Sequence, residues 1–323
     1  MERTIGIGNA LVDVLVRLDG DGLLERLGLP KGGMTLIDET RQRELRGCME
    51  GLPVEMSTGG SAGNTMLAMA KLGDDVGFVG KVGDDDLGRF FSENCKEVGI
   101  DAQLLRCGLP TGVANTFITP DGERTFGTHL GAAATLRAED ITPELFRDVA
   151  TAHVEGYLVQ NHALMEAICR TATEAGTMLS LDLASYNVVL SDLAFFRHLV
   201  QDYIDIVFAN EEEATAFTGK SDPLEALRSI AAMKCLAVVK LGSKGASVRL
   251  GSEEAVVDAL KVPVVDTTAA GDFFAGGFLH ALAKGASLQD CLRFGTLLAG
   301  NIIGVVGTRL PEETWREIRR NEK

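Results

Sequence analysis

Apolar runs of strand length occupy residues 5–16, 76–82, 154–159, 178–183, 204–209 and 236–241. Runs that are apolar throughout, rather than alternating, suit strands buried on both faces. Between them the spacing changes to one apolar face every three or four residues. Residues 61–72 place Ala62, Met66, Met69 and Ala70 on one helical face before Gly73, and residues 86–98 form a second such helix ending at Gly99. Segments 162–175, 191–201 and 222–233 read the same way, and the C-terminal part is helical over 271–284, 287–303 and 311–320. Strand and helix in alternation predict an α/β fold with a doubly wound, mainly parallel sheet covered on both faces. Residues 113–119 and 124–128 break the pattern, because they alternate around Pro120-Asp121-Gly122-Glu123. Asp-Gly between alternating runs predicts a β-hairpin. With residues 34–38 it would make a small β lid, drawn from segments near 10–50 and 100–130, on a single domain spanning 1–323. Linkers, low-complexity tracts and internal repeats are not evident.

Charge narrows the partners. The chain has 31 basic and 46 acidic residues in 323, a net charge of −15. Such a surface repels nucleic-acid backbones and anionic lipid, so neither nucleic acid nor membrane is an expected partner. Six cysteines at 48, 95, 107, 169, 235 and 291 include no CxxC pair, which fits reduced thiols in a cytoplasmic protein. No segment approaches the roughly 20 apolar residues of a membrane span, and no signal-type run opens the chain. The expectation is a soluble, unprocessed, cytoplasmic protein.

Several familiar motifs fail on inspection. Gly6-Ile7-Gly8 begins like a dinucleotide fingerprint, but the third glycine position is Leu11. Gly219-Lys220-Ser221 ends like a P-loop, but the loop's first glycine position is Ala214. The histidines at 129, 153, 162, 198 and 280 have no metal-ligand spacing, and no nucleophile elbow is present.

The segment richest in chemistry is Val264-Val265-Asp266-Thr267-Thr268-Ala269-Ala270-Gly271-Asp272, followed by a long helix. Small residues at a helix start leave the N–H groups of Ala270, Gly271 and Asp272 open to an anion, and the helix dipole adds partial positive charge. A carboxylate beside an anion site is out of place for binding alone. Asp272 would be useful there as a base that takes a proton from a hydroxyl while the N–H groups hold a transferring phosphoryl group. The residues alone leave a second reading open, in which Asp272 caps a helix and the small side chains serve packing.

That segment resembles the second signature of the PfkB, or ribokinase-like, family of carbohydrate kinases. Further similarities run along the chain in order. Gly59-Gly60-Ser61-Ala62-Gly63-Asn64 and residues 79–88 resemble the first signature, Asn210-Glu211-Glu212-Glu213 the Asn-x-x-Glu motif, and Leu241-Gly242-Ser243-Lys244-Gly245-Ala246 the ATP loop. Many members carry Gly where this chain has Ala269. The resemblance implies an ATP-dependent phosphotransferase acting on a hydroxyl, expected to be primary, of a small sugar or nucleoside. Asp272 would be the base, with Ala270 and Gly271 completing the anion hole.

The same resemblance implies that Asn9, Asp13, Gly59, Gly60 and Asn64 bind the acceptor. Asn210 and Glu213 would organise Mg²⁺ and phosphates, and Gly242, Ser243 and Gly245 would hold ATP. Asp266 and Thr268 would form a K⁺ site. Glu211, Glu212 and residues 84–86 read as solvated or capping carboxylates. Gly8–Asp13 and Asp182–Ser185 resemble the adenosine-kinase branch more than the ribokinase branch, so an adenosine-like nucleoside is the favoured acceptor. Phe117, Phe126 and Tyr157 are the candidates to clamp its base. Ribokinase or fructokinase activity is the alternative, and a catalytically silent sugar- or nucleotide-binding protein is the alternative of another class. Lid strands in the resembling family sometimes pair between subunits, which makes a homodimer the candidate assembly.

Overall fold

The computed structural model describes residues 2–121 and 123–320; Gly122 of the expected hairpin turn lies outside them. The strands, in chain order, are β1 (Arg3–Ile7), β2 (Leu11–Arg17), β3 (Met34–Leu36), β4 (Val54–Gly59), β5 (Val76–Gly83), β6 (Ile100–Cys107) and β7 (Gly112–Ile118). They continue with β8 (Arg124–His129), β9 (Val149–Glu155), β10 (Met178–Asp182), β11 (Ile206–Asn210), β12 (Leu236–Lys240), β13 (Ala246–Leu250) and β14 (Glu253–Val257).

Nine strands form the main sheet in the order β14-β13-β12-β11-β10-β9-β1-β5-β6. The seven from β12 to β6 are parallel. β13 and β14 close one edge as antiparallel strands. Each parallel crossover carries a helix onto a sheet face, which is why these strands are apolar on both sides. One face packs the helices His162–Ala175, Leu193–Asp202 and Pro223–Ala231 through Met165, Phe196, Leu199 and Leu227. The other packs Ser61–Leu72, Ala270–Ala283 and Leu288–Ile302 through Met66, Phe78, Phe208, Phe273, Phe278 and Leu298. Fully burying one such side chain stabilises the fold by about 1.5–3 kcal/mol. Among the described residues no helix is long and apolar enough to cross a membrane.

A second sheet stands apart, in the order β3-β8-β7-β2-β4. β7 and β8 are the expected antiparallel hairpin, and β3 pairs with β8. The sheet is larger than a hairpin with one added strand, because β2 and β4 join it. It has its own small core of Val16, Leu24, Leu45 and Phe117. The apolar run 5–16 therefore belongs to two sheets, with β1 in one and β2 in the other. Gly8, between them, has room for no side chain, since a Cβ there would come 2.3 Å from a Glu155 carboxylate oxygen. Run 154–159 also divides differently. β9 ends at Glu155, and residues 156–160 turn as a 3₁₀ helix. The strands β4, β6, β13 and β14 and the helices Gly22–Leu27, Glu39–Met49 and Glu211–Thr218 extend the expected set.

β1 sits between β9 and β5, with the strand order running outward on both sides. In such sheets a crevice opens at the carboxyl ends of the strands where the order reverses.

Candidate active site

Four neighbouring parallel strands end in a polar residue at that crevice. Glu155 closes β9, Asp182 β10, Asn210 β11 and Lys240 β12. The parallel register sets Glu155 beside Asp182, and Asn210 beside Lys240 two residues further along, so the four form a stepped row. Lys240 Nζ donates to Asp182 Oδ2 at 2.8 Å, with the two side chains 16% and 8% exposed. Burial is the strongest influence on Lys240 and acts against its charge, but Asp182 and Glu213 outweigh it and hold the ammonium above its usual range. For Asp182 burial again opposes charge, and Lys240 reverses the balance and keeps the carboxyl below its usual range. Glu155 is pushed up to about 7 by burial, against the hydrogen bonds it receives from Asn9 and Ala62.

Opposite this row stands the start of the Ala270–Ala283 helix. Ala269 adopts a left-handed conformation (φ 59°) and no side chain caps the helix. The Ala270 N–H donates to Thr267 O at 3.2 Å, so it is engaged within the turn, whereas Gly271 and Asp272 carry no such backbone bond among the described residues. The expected trio of open donors thus reduces to two. Asp272 accepts from Ser61 Oγ at 2.7 Å through Oδ1 and from Asn64 Nδ2 at 2.9 Å through Oδ2. Burial raises it to about 6, and the Asn64 and Ser61 bonds restrain the rise.

Two cavities meet at this point. The first, of about 410 Å³, is lined by Asp13, Gly60, Ser61, Asn64, Asn210, Glu213, Gly271 and Asp272, with Phe126 and Tyr157 among its other walls. The second, of about 820 Å³ and largely apolar, is lined by Gly242, Ser243, Gly245, Ala270 and Gly271 with Leu260, Val262, Phe274 and Ile303. Lys240, Gly242 and Gly271 line both.

The residues singled out from the sequence divide accordingly. Asp13, Gly60 and Asn64 face the first cavity. Asp13 is pushed up to about 7 by burial and then by the Asp272 charge. Gly60 has φ 87°, and a Cβ there would strike Asn9 O at 2.2 Å, so only glycine fits. Gly59 and Asn9 stand behind the wall. A Cβ on Gly59 would come 2.2 Å from Asp13 Oδ1, and the Asn9 amide is turned to Glu155. Asn210 and Glu213 hold each other in a reciprocal cap: Glu213 Oε2 accepts from Asn210 N at 2.8 Å and Asn210 Oδ1 accepts from Glu213 N at 2.8 Å. Burial pushes Glu213 to about 7. Of the three aromatic candidates, Phe126 and Tyr157 line the first cavity, while Phe117 is fully buried in the second sheet. Asp85, in the acidic 84–86 segment, caps its helix by accepting from Gly88 N at 2.8 Å.

Asp266 and Thr268 come together, but with an occupant. Arg124, from β8, places Nη2 2.6 Å from Asp266 Oδ2 and Nη1 3.1 Å from Thr268 Oγ1. Asp266 also accepts from Thr268 N and Gly307 N. Lys240, Asp182, Ser61 and Glu155 were not among the expected site residues. The available signal was positional: each of the first two and the last is the polar end of an otherwise apolar strand.

Comparison with known proteins places the chain in a family. The pattern of the pfkB family carbohydrate kinases matches residues 33–315. Adenosine kinase of Schizophyllum commune is 30% identical, covering 97% of both chains. The ATP-dependent ribose-1-phosphate kinase of Halopiger xanaduensis is 31% identical over 96% of this chain and 94% of its own. Among solved structures, adenosine kinase from Sinorhizobium meliloti superposes with a TM-score of 0.88 at 35% identity, covering 99% of both chains. The chain belongs to the pfkB family of carbohydrate kinases, phosphotransferases that act on sugars and nucleosides.

Proposed function

We propose that this kinase transfers the γ-phosphoryl group of ATP to the primary hydroxyl of an adenosine-like nucleoside, with Asp272 as the base. The observation that carries the reading is the position of Asp272. It lies in the wall of the first cavity, one residue from Gly271, which is shared with the second. The nucleoside takes the first cavity. Phe126, from the second sheet, and Tyr157 offer faces to its base, and Asp13 offers acceptors to its ribose hydroxyls. ATP takes the second, with its adenine among apolar walls and its phosphates toward Gly242 and Gly271. Movement of the second sheet over the acceptor excludes water, which would otherwise compete for the phosphoryl group.

In the chemical step Asp272 accepts the hydroxyl proton. A bond forms from the acceptor oxygen to the γ-phosphorus as the bond to the bridging oxygen breaks, and ADP departs with that electron pair. The N–H groups of Gly271 and Asp272 receive the charge on the transferring group. Ser61 and Asn64 fix the carboxylate so that it meets the hydroxyl in one orientation.

Mg²⁺ fits the site through phosphates and water. It keeps several waters and needs only one or two carboxylates, and Glu213 and Asp182 lie at the cavity wall. Bound there it would neutralise phosphate charge. K⁺ at Asp266 and Thr268 does not fit the donor set, since the Arg124 guanidinium already faces the carboxylate.

The adenosine preference draws on the whole-length likeness to adenosine kinases. The test is ADP release with ATP and Mg²⁺ against adenosine, inosine, ribose, ribose 1-phosphate and fructose. Fast turnover with adenosine is expected. Turnover confined to a free sugar or sugar phosphate would overturn the acceptor and keep the chemistry. The base is tested by Asp272→Asn, expected to lower kcat by about 10²–10⁴-fold with adenosine affinity retained. Near-normal turnover would remove Asp272 from that role.

A further inference from the structure

We propose that Lys240 is a further catalytic residue, whose ammonium contacts the γ-phosphoryl group as it crosses between the two cavities. The proposal rests on the kinase reading above. Lys240 is the last residue of β12, so its backbone is fixed by a central parallel strand. Its side chain reaches the helix start that carries the anion site: a Cβ placed on Gly271 would lie 3.0 Å from Nζ. It lines both cavities, and in the first it is the only basic side chain among the lining residues.

The alternative is a purely structural ion pair with Asp182. Buried charges do need partners, and Asp182 supplies one at 2.8 Å. Two features exceed that requirement. An ammonium has three donors, and Asp182 is the only hydrogen-bond acceptor for Lys240 among the described residues. A pair needed for folding alone also has no reason to stand where both cavities open. Asp182, in turn, is anchored by the Ala184 N–H at 2.8 Å through its other oxygen, so it holds the ammonium in place.

Charge gives the position its purpose. ATP must bind to a molecule of net charge −15, and its γ-phosphoryl group must cross to a cavity lined by Asp13, Asp182, Glu213 and Asp272. Two backbone donors carry only partial charge. A fixed ammonium beside Gly271 offers a full charge where the phosphoryl oxygens gather it in the transition state.

The test uses the full chain, with Lys240→Met and Lys240→Arg beside the parent. Lys240→Met is expected to lower kcat about 10²–10³-fold, the scale for removing one transition-state donor, with the adenosine dissociation constant within about threefold, on the order of 0.65 kcal/mol. Lys240→Arg should recover at least about tenfold of that loss. A second readout needs no acceptor. The parent should bind the imido analogue of ATP at least about tenfold more tightly than ADP (about 1.4 kcal/mol), and Lys240→Met should lose that difference. A structural role would not remove a γ-phosphate-specific preference. Where Lys240→Met fails to fold by circular dichroism, Lys240→Gln, which removes the charge and keeps a donor toward Asp182, is read in its place. A kcat within about threefold of the parent, or an unchanged preference for the imido analogue, overturns the proposal. A parent that binds the analogue in this way but phosphorylates none of the acceptors overturns the acceptor reading and leaves Lys240 to be judged on the binding data.

Discussion

Asn64 Nδ2 donates to Asp272 Oδ2 at 2.9 Å, joining the first turns of two helices 208 residues apart in the chain. The bond favours the ionised carboxylate and holds Asp272 down against its burial. Asn64→Ala should therefore raise the pKa of Asp272 above about 6. A base must be deprotonated to act, so the acid limb of kcat/KM against pH should move to higher pH, with activity near pH 8 less affected than activity near pH 6. An acid limb that stays in place would show that Asn64 has no part in setting the base.

Gly59 and Asp13 make a second close pair. A methyl group on Gly59 would come 2.2 Å from Asp13 Oδ1, so Asp13 must turn. The backbone at Gly59 is not in the left-handed region, so the substitution acts on the carboxylate rather than on chain conformation. Gly59→Ala should raise the acceptor KM by tenfold or more, equal to about 1.4 kcal/mol, while the KM for ATP stays near that of the parent. Equal weakening of both substrates would point to general damage instead.

The sequence makes the parallel sheet, the flanking helices and the β7–β8 hairpin legible, because period and turn chemistry are local properties. It does not show that residues 5–16 serve two sheets, since an apolar run looks the same on either side of a crossing. The edge strand β14 was missed for the related reason that exposed Glu253 and half-exposed Glu254 dilute the apolar signal. At the site, Asp272 and the glycines stood out through their motifs. Lys240 and Asp182 did not, because their meaning comes from adjacency of β10, β11 and β12, which only the folded order provides. Arg124 is the same case: nothing in the hairpin sequence reveals that its tip reaches Asp266.

Four buried acids give stability a pH dependence. Asp13, Glu155 and Glu213 are pushed to about 7 and Asp272 to about 6, each chiefly by burial. Unfolded carboxyls titrate near 4. Between these values the folded chain holds protons that the unfolded chain has released. The contribution to stability is therefore full below about 4 and is lost as pH rises through 6 to 7. His153, pushed down to about 4 by burial, works in the opposite direction, as one group against four. The Tm of the free protein should fall between pH 5.5 and pH 8, and Asp13→Asn should flatten the slope. A Tm that climbs over this range would contradict the placement of these carboxyls.

Arg124 and Asp266 tie the second sheet to the loop before the Ala270–Ala283 helix. Their side chains are 11% and 1% exposed, so removing one partner strands a buried charge. Loss of one member of such a pair costs about 3–5 kcal/mol. Arg124→Met should lower Tm by several degrees, and more than Arg89→Met, whose exposed partner Asp86 lies in water. Because the guanidinium already sets a positive charge against Asp266, replacing K⁺ by Na⁺ in the assay should change the parent's kcat by less than about twofold, a barrier difference of roughly 0.4 kcal/mol. A tenfold dependence on K⁺ would mean that Arg124 leaves Asp266 during turnover and that a monovalent cation takes its place.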